Sequence, residues 1–172
     1  HRSYCWQKQM KFSIIIVHQR SHMKPYIGIL FTLCVLIFGF THKPPAGRSL
    51  FNGKDLKGWT GNPSLWSVKD GAIVGQTTAA DPIKQNTFLI WTNGTLGDFE
   101  LRLSYKIIGN NDKGQANSGI QYRSKVLDKD NWVVGGYQAD FEAGTKYSGI
   151  LYEEKMTRGI MAERGEKVTW TR

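Results

Sequence analysis

Phe99-Glu100-Leu101-Arg102-Leu103-Ser104-Tyr105-Lys106-Ile107 places an apolar residue at every odd position and a polar one between each pair. Side chains of an extended chain alternate between two faces, so this stretch predicts a strand with one face in a core and the other in water. A two-residue period held over nine residues excludes an amphipathic helix, whose apolar positions recur every three to four. Upstream, Trp66-Ser67-Val68 and Ala72-Ile73-Val74 flank Lys69-Asp70-Gly71 and predict a short hairpin, because Asp-Gly accepts turns that match strand twist. Thr87 to Trp91 predicts another strand, and Gln76 to Gln85 a polar loop. Downstream, strands are expected over Gly119 to Arg123, Gly136 to Phe141 and Gly149 to Glu153. No span reads as a helix, so nothing supplies the crossovers of a parallel sheet. The fold class is all-β, a sandwich of two antiparallel sheets.

The formal charge of +9 is unevenly spread. Residues 1–48 carry four lysines, three arginines and no acid, whereas all 14 acidic residues lie at or after Asp55. The folded portion is therefore nearly neutral, and no nucleic-acid partner is expected, since that needs basic charge clustered on a folded surface. Within the basic section, Met23-Lys24 precedes an apolar run from Tyr26 to Phe40 and then His42-Lys43-Pro44-Pro45. The run is short against the roughly 20 residues of a bilayer span but suits an export signal. Membrane association through residues 26–40 is the competing expectation. Residues 1–22 read as a spurious or upstream segment and are set aside from the fold; their apolar stretch from Phe12 to Val17 is too short to span a bilayer. Residues 23–41 read as signal peptide or membrane anchor, 42–48 as linker, and 49–172 as a partial β-sandwich domain truncated at its C-terminus. The location expected is exported: periplasmic, extracellular or membrane-anchored.

The domain contains neither cysteine nor histidine, because Cys5, Cys34 and His42 all precede it. Disulfides, a thiolate-held metal and a Ser-His-Asp triad are excluded there. Its chemistry must come from carboxylates, amides, hydroxyls and aromatic rings. These concentrate between Asn117 and Tyr152: Gln121 and Arg123 share one strand face, and Gln138, Asp140 and Glu142 share another. If the two faces coincide, the sheet has a polar floor; a solvated sheet face is the plainer alternative. Asn110-Asn111-Asp112-Lys113-Gly114 offers oxygens to a hard cation, but without the spacing of an EF-hand, and turn chemistry accounts for it. Among the aromatics, Trp132 sits beside a polar loop and is the ring expected to be exposed, whereas Tyr137 alternates with Ala139 and Phe141 toward the core.

Several segments in order carry a family resemblance. Leu50-Phe51-Asn52-Gly53-Lys54-Asp55-Leu56-Lys57-Gly58-Trp59, Trp66 to Gly71, Asp98-Phe99-Glu100-Leu101, Asn117 to Arg123, Gly136-Tyr137-Gln138-Ala139-Asp140 and Gly149-Ile150-Leu151-Tyr152 together resemble the 3-keto-disaccharide hydrolase domain. The resemblance implies a concanavalin-like jelly roll whose concave face receives a sugar, and an exported bacterial enzyme that cleaves 3-keto-disaccharides or other 3-keto-glycosides. A ketone at C3 acidifies the C2 hydrogen, so a base can open an elimination followed by hydration, unlike the two-carboxylate routes of ordinary glycosidases. On this reading Asp140 is the base or a cation ligand, Arg123 stabilises the enolate or orients a hydroxyl, and Glu153 is a reserve acid or metal ligand; a structural salt bridge between Asp140 and Arg123 is the plainer alternative. Gln138, Gln121, Trp132 and Glu142 bind substrate. A divalent cation such as calcium is a candidate cofactor, held by Asp140 and Gln138. The alternative is a carbohydrate-binding sandwich module without catalysis.

Overall fold

The computed structural model describes residues 47–80, 82–109 and 111–167, together with the backbone of a strand at Lys8–Ile16. The expected signal or anchor at 23–41 lies outside the described residues, as does most of the linker. Among the described residues eleven strands occur in chain order: β1 (Lys8–Ile16), β2 (Arg48–Ser49), β3 (Trp59–Thr60), β4 (Trp66–Lys69), β5 (Ala72–Thr77), β6 (Ile90–Trp91), β7 (Leu101–Gly109), β8 (Asn117–Asp128), β9 (Val133–Glu142), β10 (Leu151–Glu154) and β11 (Gly159–Ala162). No helix accompanies them among the described residues, and every pairing is antiparallel. The all-β reading with two principal antiparallel sheets therefore holds.

The first sheet has five strands. Its hairpin β4–β5 turns at Asp70 and Gly71, both with positive φ (51° and 70°), the backbone that a two-residue turn needs between twisted strands. Trp66 stands opposite Gly75, and a Cβ there would lie 2.6 Å from the indole, so the missing side chain is what lets the ring lie over β5. The expected strand at 99–107 appears two residues later, as β7. Strand β1 fills the place between β5 and β7, pairing five residues with the former and nine with the latter. That strand lies in the segment which the sequence reading sets aside. A stretch too short for a bilayer is long enough for a strand, whose usual length is about five or six residues, and backbone pairing asks little of side-chain identity.

The second sheet runs β11-β10-β9-β8, with β8 at its edge. Phe51, Ile73 of β5 and Phe141 of β9 form a buried cluster that Leu101, Leu103 and Ile107 of β7 and Ile120 of β8 pack against, so one core serves both sheets. Tyr105 stacks on Phe141 across it at 4.0 Å. Only Ile90–Trp91 of the expected 87–91 strand pairs, with Trp59–Thr60. The rest of that segment gives its hydrogen bonds to a distant turn: Phe88 N–H donates to the Trp132 carbonyl at 3.0 Å and the Thr87 hydroxyl to the Asn131 carbonyl at 2.9 Å. Segment 83–96 is thereby pinned beside the second sheet. It becomes one wall of the main cavity.

Candidate functional site

Register decides which side chains meet. Gln121 of β8 stands directly opposite Gln138 of β9, which stands opposite Tyr152 of β10, so the three form one row on one face. Asp140 lies two residues from Gln138 on that face, and Asn117 Nδ2 donates to its Oδ2 at 3.5 Å. Gly119 pairs with Asp140, and the space its side chain would take is filled by Gln138. The polar floor expected from alternation is thus present for Gln121, Gln138 and Asp140. Tyr152 completes it. Its phenol is pushed above the usual tyrosine value, first by burial and then by the charges of Glu154 and Asp140, and so stays protonated at neutral pH.

A cavity of about 790 Å³ lies over this floor. Consecutive residues from Asn117 to Ser124 line it, which places it around the free edge of β8. Trp59, Trp66 and Trp91 contribute indoles to its walls. Two of these are held in place: Trp59 Nε1 donates to the Leu50 carbonyl at 3.0 Å, and the Arg48 guanidinium lies 5.2 Å from the Trp91 ring centre. A volume of this size, apolar walls and a few convergent polar groups suit a neutral organic ligand.

Other expected site residues make their contacts away from this floor. A β-bulge interrupts the β8–β9 register between Tyr122 and Lys125, and Arg123 takes φ +46° within it. Strict alternation from Gln121 therefore fails. Arg123, which lines the cavity, turns to Asp98, 2.8 Å away, with both side chains more than half exposed, and not to Asp140. Trp132 sits in the β8–β9 turn at φ +49°, its indole N–H donating to Thr60 Oγ1 at 3.2 Å, outside the cavity lining. Glu142 Oε1 accepts the Lys146 and Tyr147 backbone N–H groups, the latter at 2.6 Å, and so organises its own loop.

Glu153 and Glu154 point to opposite faces, as neighbours in a strand must, yet both are buried. Glu153 accepts the Arg158 backbone N–H at 2.9 Å and its guanidinium, which also donates to the Tyr137 hydroxyl at 3.1 Å. These bonds tie the β10–β11 turn, and the hydrogen bond from Arg158 holds the Glu153 carboxyl below its usual value. Glu154 accepts from Asn86 Nδ2 at 2.9 Å, fastening segment 83–96 to β10. The Asn111 loop shows turn chemistry: Asn111 Oδ1 accepts the Lys113 and Gln115 N–H groups at 3.1 Å.

A family model described as the 3-keto-alpha-glucoside-1,2-lyase-like domain matches residues 46–170. The chain belongs to that family. No curated protein matches the chain, and no solved structure does. For this 3-keto-glucoside lyase-like domain, the described residues hold no group of three or more His, Cys, Asp or Glu able to bind a metal ion. Asp140 and Gln138 would offer a divalent cation one carboxylate and one amide oxygen, with the rest of the six to eight oxygens calcium takes left to backbone, substrate or water. Among the described residues no helix is long and apolar enough to cross a membrane.

Proposed function

We propose that this cavity cleaves a 3-keto-glycoside by elimination and hydration, with Asp140 as the base. The observation that carries the reading is the placement of Asp140 beside Gln138, Gln121 and Tyr152 on one cavity floor in a chain of this family. The family's description names a lyase, which is the eliminative half of the route.

Asp140 takes the proton from C2 of the oxidised ring, and the electron pair moves onto the C3 oxygen as an enolate. Amide N–H groups of Gln138 and Gln121 are the donors proposed for that oxygen, since donors fixed where charge develops stabilise it without reorganising. Collapse of the enolate expels the C1 oxygen and leaves a C1=C2 double bond conjugated to the ketone. Tyr152, held protonated, supplies a proton to the departing oxygen. Water then adds at C1 and a proton returns to C2, so the net change is hydrolysis. Arg123, paired with Asp98, orients the substrate on this reading rather than stabilising the enolate. The jelly-roll form of the sandwich and export of the protein belong to the same proposal, on the family's pattern.

Mass-resolved product formation from a 3-keto-disaccharide tests it. The wild-type protein is expected to release 3-keto-glucose, and Asp140→Asn to lose about 10²- to 10⁴-fold in rate, the usual worth of a positioned base. Saturable sugar binding without product, in a folded protein and with calcium added, would replace the enzyme by a carbohydrate-binding module.

A further inference from the structure

Buried polar groups in folded proteins nearly always have hydrogen-bond partners, so those without one need an explanation. Trp66 Nε1, Thr77 Oγ1 and both amide atoms of Gln121 are buried and have no partner among the described residues. All three residues line the same cavity. Gln121 belongs to the floor described above. Trp66 and Thr77 do not: they come from β4 and β5 of the other sheet. Trp66 stands opposite Gly75, and Thr77 lies two residues beyond Gly75, so the indole and the hydroxyl share a face that Gly75 keeps clear of bulk. Thr77 is only 7% exposed, so bulk water does not serve its hydroxyl.

The chemistry of this second pole is neutral. An indole N–H only donates, whereas a threonine hydroxyl both donates and accepts, and no charged side chain belongs to the pair. Such a pair suits sugar hydroxyls and not an anion. We propose that Trp66 and Thr77 read the hydroxyls of the sugar that leaves, while the 3-keto ring lies over Asp140, Gln138 and Gln121. Which ring each pole holds rests on the function proposed above; that Trp66 and Thr77 bind a sugar hydroxyl does not. Both residues determine specificity. Neither takes part in the chemistry.

Two variants test this with little change of shape: Trp66→Phe deletes the N–H and Thr77→Val the hydroxyl. Calorimetric titration of each with glucose is paired with kcat/KM on two substrates, a 3-keto-disaccharide and a 3-keto-glucoside whose leaving group is an aryl ring without hydroxyls. Each variant is expected to bind glucose about 2- to 10-fold more weakly, the worth of one neutral hydrogen bond, and to lose kcat/KM on the disaccharide by the same factor. The aryl substrate is expected to be unaffected. Thr77→Val is also expected to melt a few degrees higher than wild type, because it removes a buried hydroxyl that lacks a partner; this readout covers the case in which Trp66→Phe folds poorly.

Wild-type glucose affinity in both variants, or an equal loss on both substrates, would overturn the proposal. Turnover of neither substrate by the wild-type protein, with glucose binding lost in the variants, would instead overturn the function proposed above and leave this pole standing.

Discussion

Replacing Gly119 by alanine tests the packing that builds the floor. An ideal Cβ at that position lies 2.5 Å from Gln138 Cγ, 2.6 Å from its Oε1 and 2.7 Å from its Cδ. Carbon atoms in contact sit about 3.5–4.0 Å apart, so Gln138 must give way by about 1 Å. Gly119 does not have the positive φ that penalises alanine, so the displacement is the whole cost. Gln138 is 6% exposed and belongs to the cavity floor, so any shift it makes displaces a group of the site. An overpacked site of this kind costs about 1–3 kcal/mol, which in a chain of this length lowers Tm by roughly 2–10 °C. Misplacing a positioning group by about 1 Å costs up to about 10²-fold in rate. Calorimetric melting and kcat/KM on a 3-keto-disaccharide measure the two effects. Gly53→Ala is the control: Gly53 has φ +77° and no atom within 4 Å of an added Cβ, so it loses only about 1–2 kcal/mol to backbone strain and keeps full activity. A Gly119→Ala protein that melts and turns over like wild type would refute the packing argument.

Three further outcomes are expected. Arg158→Met removes the partner of the buried Glu153 carboxylate and lowers Tm near neutral pH. Glu153 is held below its ordinary value of 4.5, so its stabilising effect is complete above that value and fades as pH falls through the lower folded value. The gap between wild-type and variant Tm therefore narrows on acidification, and a gap constant down to pH 3 would contradict the assignment. Met10→Pro removes a backbone donor from β1 where it pairs with Gly75 of β5 on one side and Ile107 of β7 on the other, and is expected to melt several degrees lower; an unchanged melt would mean that Lys8–Ile16 contributes nothing to the sheet. Asn86→Ala breaks the bond to Glu154 and frees segment 83–96 at one point, so KM rises, on progress curves, more than kcat falls; unchanged kinetics would show that the clamp does not hold the cavity wall.

How far the sequence could be read follows from the range over which each feature is determined. Alternation across Phe99 to Ile107 and the Asp70-Gly71 turn are set by neighbouring residues, and both appear within two residues of their expected places. The shared face of Gln138 and Asp140 is a property of one strand. That Gln121 joins them needs the β8–β9 register, which the buried pattern constrains but does not print in the sequence. The turn of Arg123 toward Asp98 follows from a bulge that adds a residue to one strand, and nothing local announces it before the partner strand is known. Trp59, Trp66 and Trp91 were not expected at the cavity, since they arrive from three segments brought together by tertiary packing. The structural ties of Glu153 and Glu154 are not legible in the sequence, because their partners, Arg158 and Asn86, come from a turn and a remote loop. Strand β1 falls in a segment that reads as upstream of a start at Met23-Lys24, and its place between β5 and β7 is fixed by partners remote in the sequence.

Proton abstraction at C2 by Asp140 is the central claim, and turnover in deuterium oxide tests it most directly. With a 3-keto-disaccharide as substrate, elimination followed by hydration returns a solvent-derived proton to C2. The 3-keto-glucose released by the wild-type protein is expected to carry one deuterium at C2 beyond the exchange of an enzyme-free control, and Asp140→Asn to abolish both release and label. Release of 3-keto-glucose without excess deuterium at C2 would show direct displacement at C1 and contradict the account.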